Sequence, residues 1–157
     1  MQKTQWLANL KTLYDQILGF LDSYLQNGSV NVDFRDVELN EERIGAYSAK
    51  EMIVNIGSQT ILLTPIGTML IGAKGRVDVS GSAGKSRLVL VDEPQIVMHS
   101  QAKIRIVENH QKSERKVPVD SKHSIWTWKI AGAPPLLLLT ELNKDNFYQL
   151  LMEVSNS

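Results

Sequence analysis

Between residues 59 and 107, short apolar runs follow one another too closely for helices to fit between them. The runs are Ile61-Leu62-Leu63, Met69-Leu70-Ile71, Val77 with Val79, Leu88 to Val91, Ile96 to Met98, and Ile104 to Val107. Gly57-Ser58, Pro65, Gly67, Ser80-Gly81-Ser82 and Glu93-Pro94 punctuate them as turns. Parallel neighbours need a crossover of about a dozen residues, usually a helix, so strands this close pair antiparallel as a meander.

Helical text flanks this block. Trp6, Leu7, Leu10, Leu13, Tyr14, Ile17, Leu18, Leu21, Tyr24 and Leu25 recur at spacings of three and four, which places them on one side of a long helix. Thr4 is its expected N-cap, and Asn27-Gly28 its left-handed stop. At the other end of the chain Asn143 suits an N-cap, and Leu142 with Phe147 has the spacing of a hydrophobic staple. Phe147, Leu150, Leu151 and Val154 then give a short helix its apolar face.

The segments between are strand-like. Val30, Val32 and Phe34 alternate with polar residues, and Asn40-Glu41-Glu42 reads as a turn. Residues 48–56 fit two patterns. Ser48 with Glu51 imitates a capping box, and Ala49, Met52, Ile53 and Ile56 have helical spacing. Met52-Ile53-Val54 ahead of Asn55-Ile56-Gly57 suits a strand, which is the reading adopted. Residues 109–122 are polar throughout except for Val117, Pro118 and Val119, and are expected to form an exposed loop. Trp126, Trp128 and Ile130 share one face of a further strand. Pro134-Pro135 ends it, and Leu136 to Leu139 is expected as a short buried strand. The expectation is therefore one α+β domain over residues 1–157: a long N-terminal helix, a curved antiparallel meander of roughly six to eight strands, and a short C-terminal helix.

Composition narrows function mostly by exclusion. Zero cysteines removes thiolate nucleophiles, disulfide frameworks and Cys-ligated metals. Seventeen basic and 17 acidic residues cancel, so no global field favours nucleic acid or an anionic membrane, and neither is expected as a partner. The asymmetry is local: residues 31–51 hold six acids against three bases, and residues 103–122 six bases against three acids. The first helix lacks the lysines of a membrane-surface helix, its apolar residues are spaced rather than continuous as in a signal peptide, and the longest apolar run is Ala133 to Leu139. A soluble, cytoplasmic protein is expected.

Chemical motifs fail in context. Gly84-Lys85-Ser86 invites a phosphate-loop reading, but Val79 stands where that motif has its first glycine, and Arg87 to Val91 reads as a strand where a helix is required. Asp92 and Glu93 are adjacent, so on a strand they point to opposite faces. His99, His110 and His123 have no partner at ligand spacing, and no serine sits in a nucleophile elbow. No metal or cofactor is implied.

Two sets of residues remain. Lys74 with Arg76, Lys85 with Arg87, and Lys103 with Arg105 each share a strand face, and together form a candidate cationic interaction stripe. The plainer reading is a solvated sheet face, with Asp78 and Glu108 at hand to neutralise it. Trp126 and Trp128 form a candidate pocket wall, against the commoner role of core aromatics packed under the helix of Trp6 and Leu10. The leading expectation is a non-enzymatic protein-binding module of the adaptor, inhibitor, immunity or chaperone kind, with a protein partner and homo-oligomerisation left open. The alternative is a small-ligand protein with an apolar pocket between sheet and helices. A weaker third is an enzyme with dispersed catalytic residues, for which His99, Asp92 and Arg105 are the first to test.

Overall fold

Apolar residues at helical spacing put Trp6, Leu10, Leu13, Tyr14 and Ile17 on the buried side of α1, Lys3–Phe20. The computed structural model describes residues 3–68, 74–93, 125–132 and 138–155. Helix α1 already includes Lys3 and Thr4, so Thr4 is not its N-cap, a difference within the usual uncertainty of a helix end. The expected long helix is interrupted at Leu21 and resumes as α2, Asp22–Gln26. Gly28, at φ +83°, then takes the left-handed conformation that turns the chain into the sheet.

The sheet contains β1 (Val30–Glu41), β2 (Gly45–Ile56), β3 (Gln59–Gly67), β4 (Gly75–Ser80), β5 (Lys85–Glu93), β6 (Ile125–Ala131) and β7 (Leu139–Glu141). Their spatial order is their sequence order, an open antiparallel meander with β1 and β7 at its edges. Helix α3, Lys144–Val154, follows, and the Asn143 side chain accepts the Asn146 N–H at 2.8 Å as its N-cap. The architecture is α+β. The chain divides into two compact units, residues 1–91 with 128–157, and residues 92–127. The first carries the three helices and the core described below.

Three segments differ from expectation. The first hairpin turns at residues 42–44, because β1 continues through Asn40 and Glu41. Pro65 does not end a strand but lies within β3, at a bulge where the register with β4 shifts, and the strand ends at Gly67. Pairing of β2 with β3 stops at Met52↔Leu63, so Pro65 stands where the ladder has already thinned and a missing N–H costs little. Leu138 and Leu139 are 65% and 50% exposed, so this end of the Leu136–Leu139 run is not a buried strand. β7 pairs with β6 only from Leu139, and nothing described covers that face. Met69 to Ile71, Ile96 to Met98, Ile104 to Val107, the 109–122 segment and the three histidines lie outside the described residues.

The core lies between α1 and one face of the sheet. Val77, Val79, Leu88 and Leu90 from β4 and β5 are fully buried there, with Met52, Val54, Ile61 and Leu63 from β2 and β3. The β1–β2 hairpin departs from simple alternation. Near its open end the buried face holds Val30, Met52 and Val54; nearer its tip the other face is buried, with Tyr47, Ala49 and Glu51. The β1–β2 register is continuous throughout, so no bulge produces the change. Beyond Met52 the hairpin has left β3 and twists as a two-stranded ribbon, where strand twist is largest.

Side chains close the fork this opens. The Tyr14 hydroxyl donates to the Lys50 carbonyl at 2.7 Å, and Thr64 Oγ1 donates to Glu51 Oε2 at 2.5 Å. Arg35 pairs with the other oxygen of Glu51. At the tip, Glu41 accepts from the Tyr47 hydroxyl and from Thr68 N and Oγ1 at 3.0 and 2.7 Å. The hairpin end is thereby tied back to the end of β3.

Candidate binding groove

The break at Leu21 creates the site. In an unbroken helix the Tyr24 N–H would bond the Phe20 carbonyl; here it bonds Leu21 O at 3.0 Å. The Phe20 carbonyl accepts instead from the Tyr148 hydroxyl of α3 at 2.5 Å. Burial pushes the Tyr148 pKa up, with smaller contributions from Tyr24 and Asp145. The Tyr24 and Tyr148 rings meet edge to face, 5.8 Å between centroids.

Between these elements lies a cleft of about 430 Å³, lined by Leu21, Tyr24, Val30, Ile56, Leu151 and Met152 with Ser29, Tyr148 and Ser155. That volume is at the lower end of the ~300–1,000 Å³ usual for ligand sites. Helix α3 contributes Tyr148, Leu151 and Met152, at i, i+3 and i+4, which is one helical stripe, and Ser155 follows as its C-cap. The floor is the first residue pair of the sheet, Val30↔Ile56. The hydroxyl protons of the two serines are used within the chain. Ser29 Oγ donates to Asn27 Oδ1 at 2.6 Å, and Ser155 Oγ to the Leu151 carbonyl at 2.6 Å. What the groove offers is apolar surface, with Tyr24 and Met152 41% and 63% exposed at its rim.

The residues singled out from sequence lie elsewhere. Trp128 is a core residue: its ring lies 6.1 Å from that of Trp6, and its Nε1 donates to the Asn9 carbonyl at 3.0 Å. Trp126, two residues earlier on β6, is half-buried. On β4 and β5 the register sets Asp78 opposite Arg87 and Ser80 opposite Lys85, on the face away from buried Val77 and Val79. Arg76 makes two hydrogen bonds to Asp78, at 2.7 and 3.2 Å, so the acid expected to neutralise this stripe does pair within it. Lys74 is exposed just before β4; Lys103 and Arg105 lie outside the described residues. The turn after Ser80 is a hairpin, closed by Gly81 N to Gly84 O at 2.9 Å, and Lys85 begins a strand, not a phosphate-binding helix. Among the described residues no three potential ligands converge on a metal position, and no helix is long and apolar enough to cross a membrane.

Sequence reading overlooked the groove although part of its signal was present. Leu21 with Tyr24, and Tyr148 with Leu151 and Met152, have helical spacing beside the core stripes. That the two stripes face each other depends on long-range packing. Compared with protein-family models, curated proteins and solved structures, the chain finds no match.

Proposed function

We propose that this chain is a protein-binding module that holds an apolar anchor of its partner in the groove between α2 and α3. The observation that carries this reading is the rim: Tyr24 and Met152 stand exposed beside a lining of Leu21, Val30, Ile56 and Leu151. Contiguous exposed apolar surface marks interaction sites, and tyrosine and methionine are favoured there because one is rigid and amphipathic and the other adapts its shape. Every serine hydroxyl lining the groove is occupied within the chain, so affinity would come from shape and apolar burial. The pocket imagined between sheet and helices has less support, since the buried Trp6–Trp128 pair fills that layer.

The test is selection of phage-displayed random peptides against the full chain, with Met152→Glu as the counter-screen. Met152 is 63% exposed, so this change leaves the fold intact. Peptides enriched on the wild type should share an apolar anchor and lose binding to Met152→Glu. Enrichment that is indifferent to Met152→Glu and to Tyr24→Ala, or no enrichment at all, would sink the reading.

A further inference from the structure

We infer that the open edge of β1 accepts an extended, basic segment of the partner as an added strand, running on from the groove. This deepens the binding-module reading and rests on it. Val30 links the two places, since it lines the groove and begins the strand. β1 is paired with β2 along its whole length without a register shift, and no described strand lies on its other side. Asn31, Asp33, Phe34, Arg35, Asp36, Glu38 and Asn40 are exposed along it. A long edge presents a row of unpaired backbone N–H and C=O groups, and proteins deter unwanted pairing with proline, lysine, bulges or short length. β1 has 12 residues with no proline, lysine or bulge, and what guards it is charge, since Asp33, Arg35, Asp36 and Glu38 are exposed along it.

Acid is what this edge carries. Asp36 is matched by Lys50 at 2.6 Å, Arg35 by Glu51, and Glu41 by Tyr47 and Thr68. Asp33 and Glu38 make no ion pair among the described residues, and Glu42 and Arg43 follow in the exposed turn. Like charges oppose the pairing of β1 with a second copy of itself, whereas a basic strand is complementary. The hairpin's change of face shapes the match further. On one side of β1 the apolar Val32 and Phe34 are followed by Asp36 and Glu38; on the other, Asp33 and the Glu51-paired Arg35 are followed by Val37 and Leu39. A complementary strand is therefore apolar opposite Val32, Phe34, Val37 and Leu39 and basic opposite Asp33 and Glu38. Phe34, 43% exposed, offers it an aromatic contact.

The sequence Val-Lys-Val-Thr-Thr-Val-Lys-Val has this pattern and reads the same in both directions, so it serves parallel or antiparallel addition. Amide hydrogen exchange of the full chain, followed by NMR with saturating peptide, should show alternate β1 amides slowed by about tenfold or more. The counterpart with glutamate in place of lysine should not do this on the wild type, but should on the Asp33→Lys, Glu38→Lys double variant, which should lose the lysine peptide. Absence of β1 protection by the lysine peptide, or equal protection by the glutamate peptide, would overturn the inference. Display-selected peptides that require Met152 yet leave β1 exchange unchanged would overturn it too, with the groove reading intact. The reverse pattern, β1 protection without any Met152-dependent peptide, would remove the groove and keep the edge.

Discussion

The ring of Trp6 lies directly over Gly75, so closely that a β-carbon on residue 75 would stand 2.8 Å from Trp6 Cε3. Trp6 is fully buried, with its ring tilted against that of Trp128. Gly75→Ala is expected to cost ~1–3 kcal/mol through overpacking, read as a lower urea midpoint with an unchanged slope.

A second glycine pair gives an internal control. A β-carbon at Gly81 would meet the Val154 carbonyl carbon at 2.9 Å, whereas one at Gly84 comes only to 3.8 Å from the Glu153 carbonyl oxygen. Backbone cannot swing aside as a side chain can. Gly81→Ala should therefore lower thermal stability measurably and Gly84→Ala should not, although both lie in the same hairpin turn.

Tyr14 and Tyr47 predict the alkaline behaviour. Burial, assisted by Glu51 near Tyr14 and by Glu41 bonded to Tyr47, raises both pKa values above the ordinary tyrosine value. A raised folded-state pKa means the native state binds more protons than the unfolded chain once the unfolded tyrosine ionises. Stability from these groups is thus complete below about pH 10 and falls as pH rises beyond it. Absorbance at 295 nm should show both phenols ionising together with unfolding. Tyr14→Phe should flatten part of that dependence, and cost about 1 kcal/mol at neutral pH because the Lys50 carbonyl loses its donor.

Glu51 is 4% exposed and held by Arg35 and Thr64. Arg35→Ala is expected to cost ~1 kcal/mol, the lower end for stranding a buried acceptor, because the Arg35 side chain is 58% exposed and solvent screens the pair. Adding Glu51→Gln to Arg35→Ala should recover part of the loss in a double-mutant cycle. A cycle with no coupling would mean that Thr64 alone satisfies the carboxylate.

The cap of α3 is the plainest case. Asn143→Ala should destabilise by about 1 kcal/mol, since the Asn146 N–H loses its acceptor. Asn143→Asp should retain most of the stability.

Local rules served well where neighbours in sequence are neighbours in space. The Asn143 cap, the stop at Gly28, the hairpin after Ser80 and the closely spaced strands of the meander all rest on contacts within a few residues. The ambiguity over residues 48–56 has a structural cause. Ala49 and Met52 are both buried three residues apart, which mimics a helix; in fact the buried face of β2 changes between Glu51 and Met52. A strand whose inside becomes its outside carries a period that a window of sequence cannot separate from helical spacing.

The sequence by itself determined the α+β class, an N-terminal helix, an antiparallel meander and a short C-terminal helix, with the exclusion of cysteine-based chemistry and of a phosphate loop at Gly84 to Ser86. Those follow from spacing, backbone preference and residue inventory, which are local or compositional. Only the tertiary structure decided that Trp128 packs on Trp6, that the hairpin twists away from β3, and that Tyr148 takes the Phe20 carbonyl and so frames the groove with Tyr24. Each of these joins residues far apart in the chain, and which apolar stripe meets which is settled by packing the whole core at once.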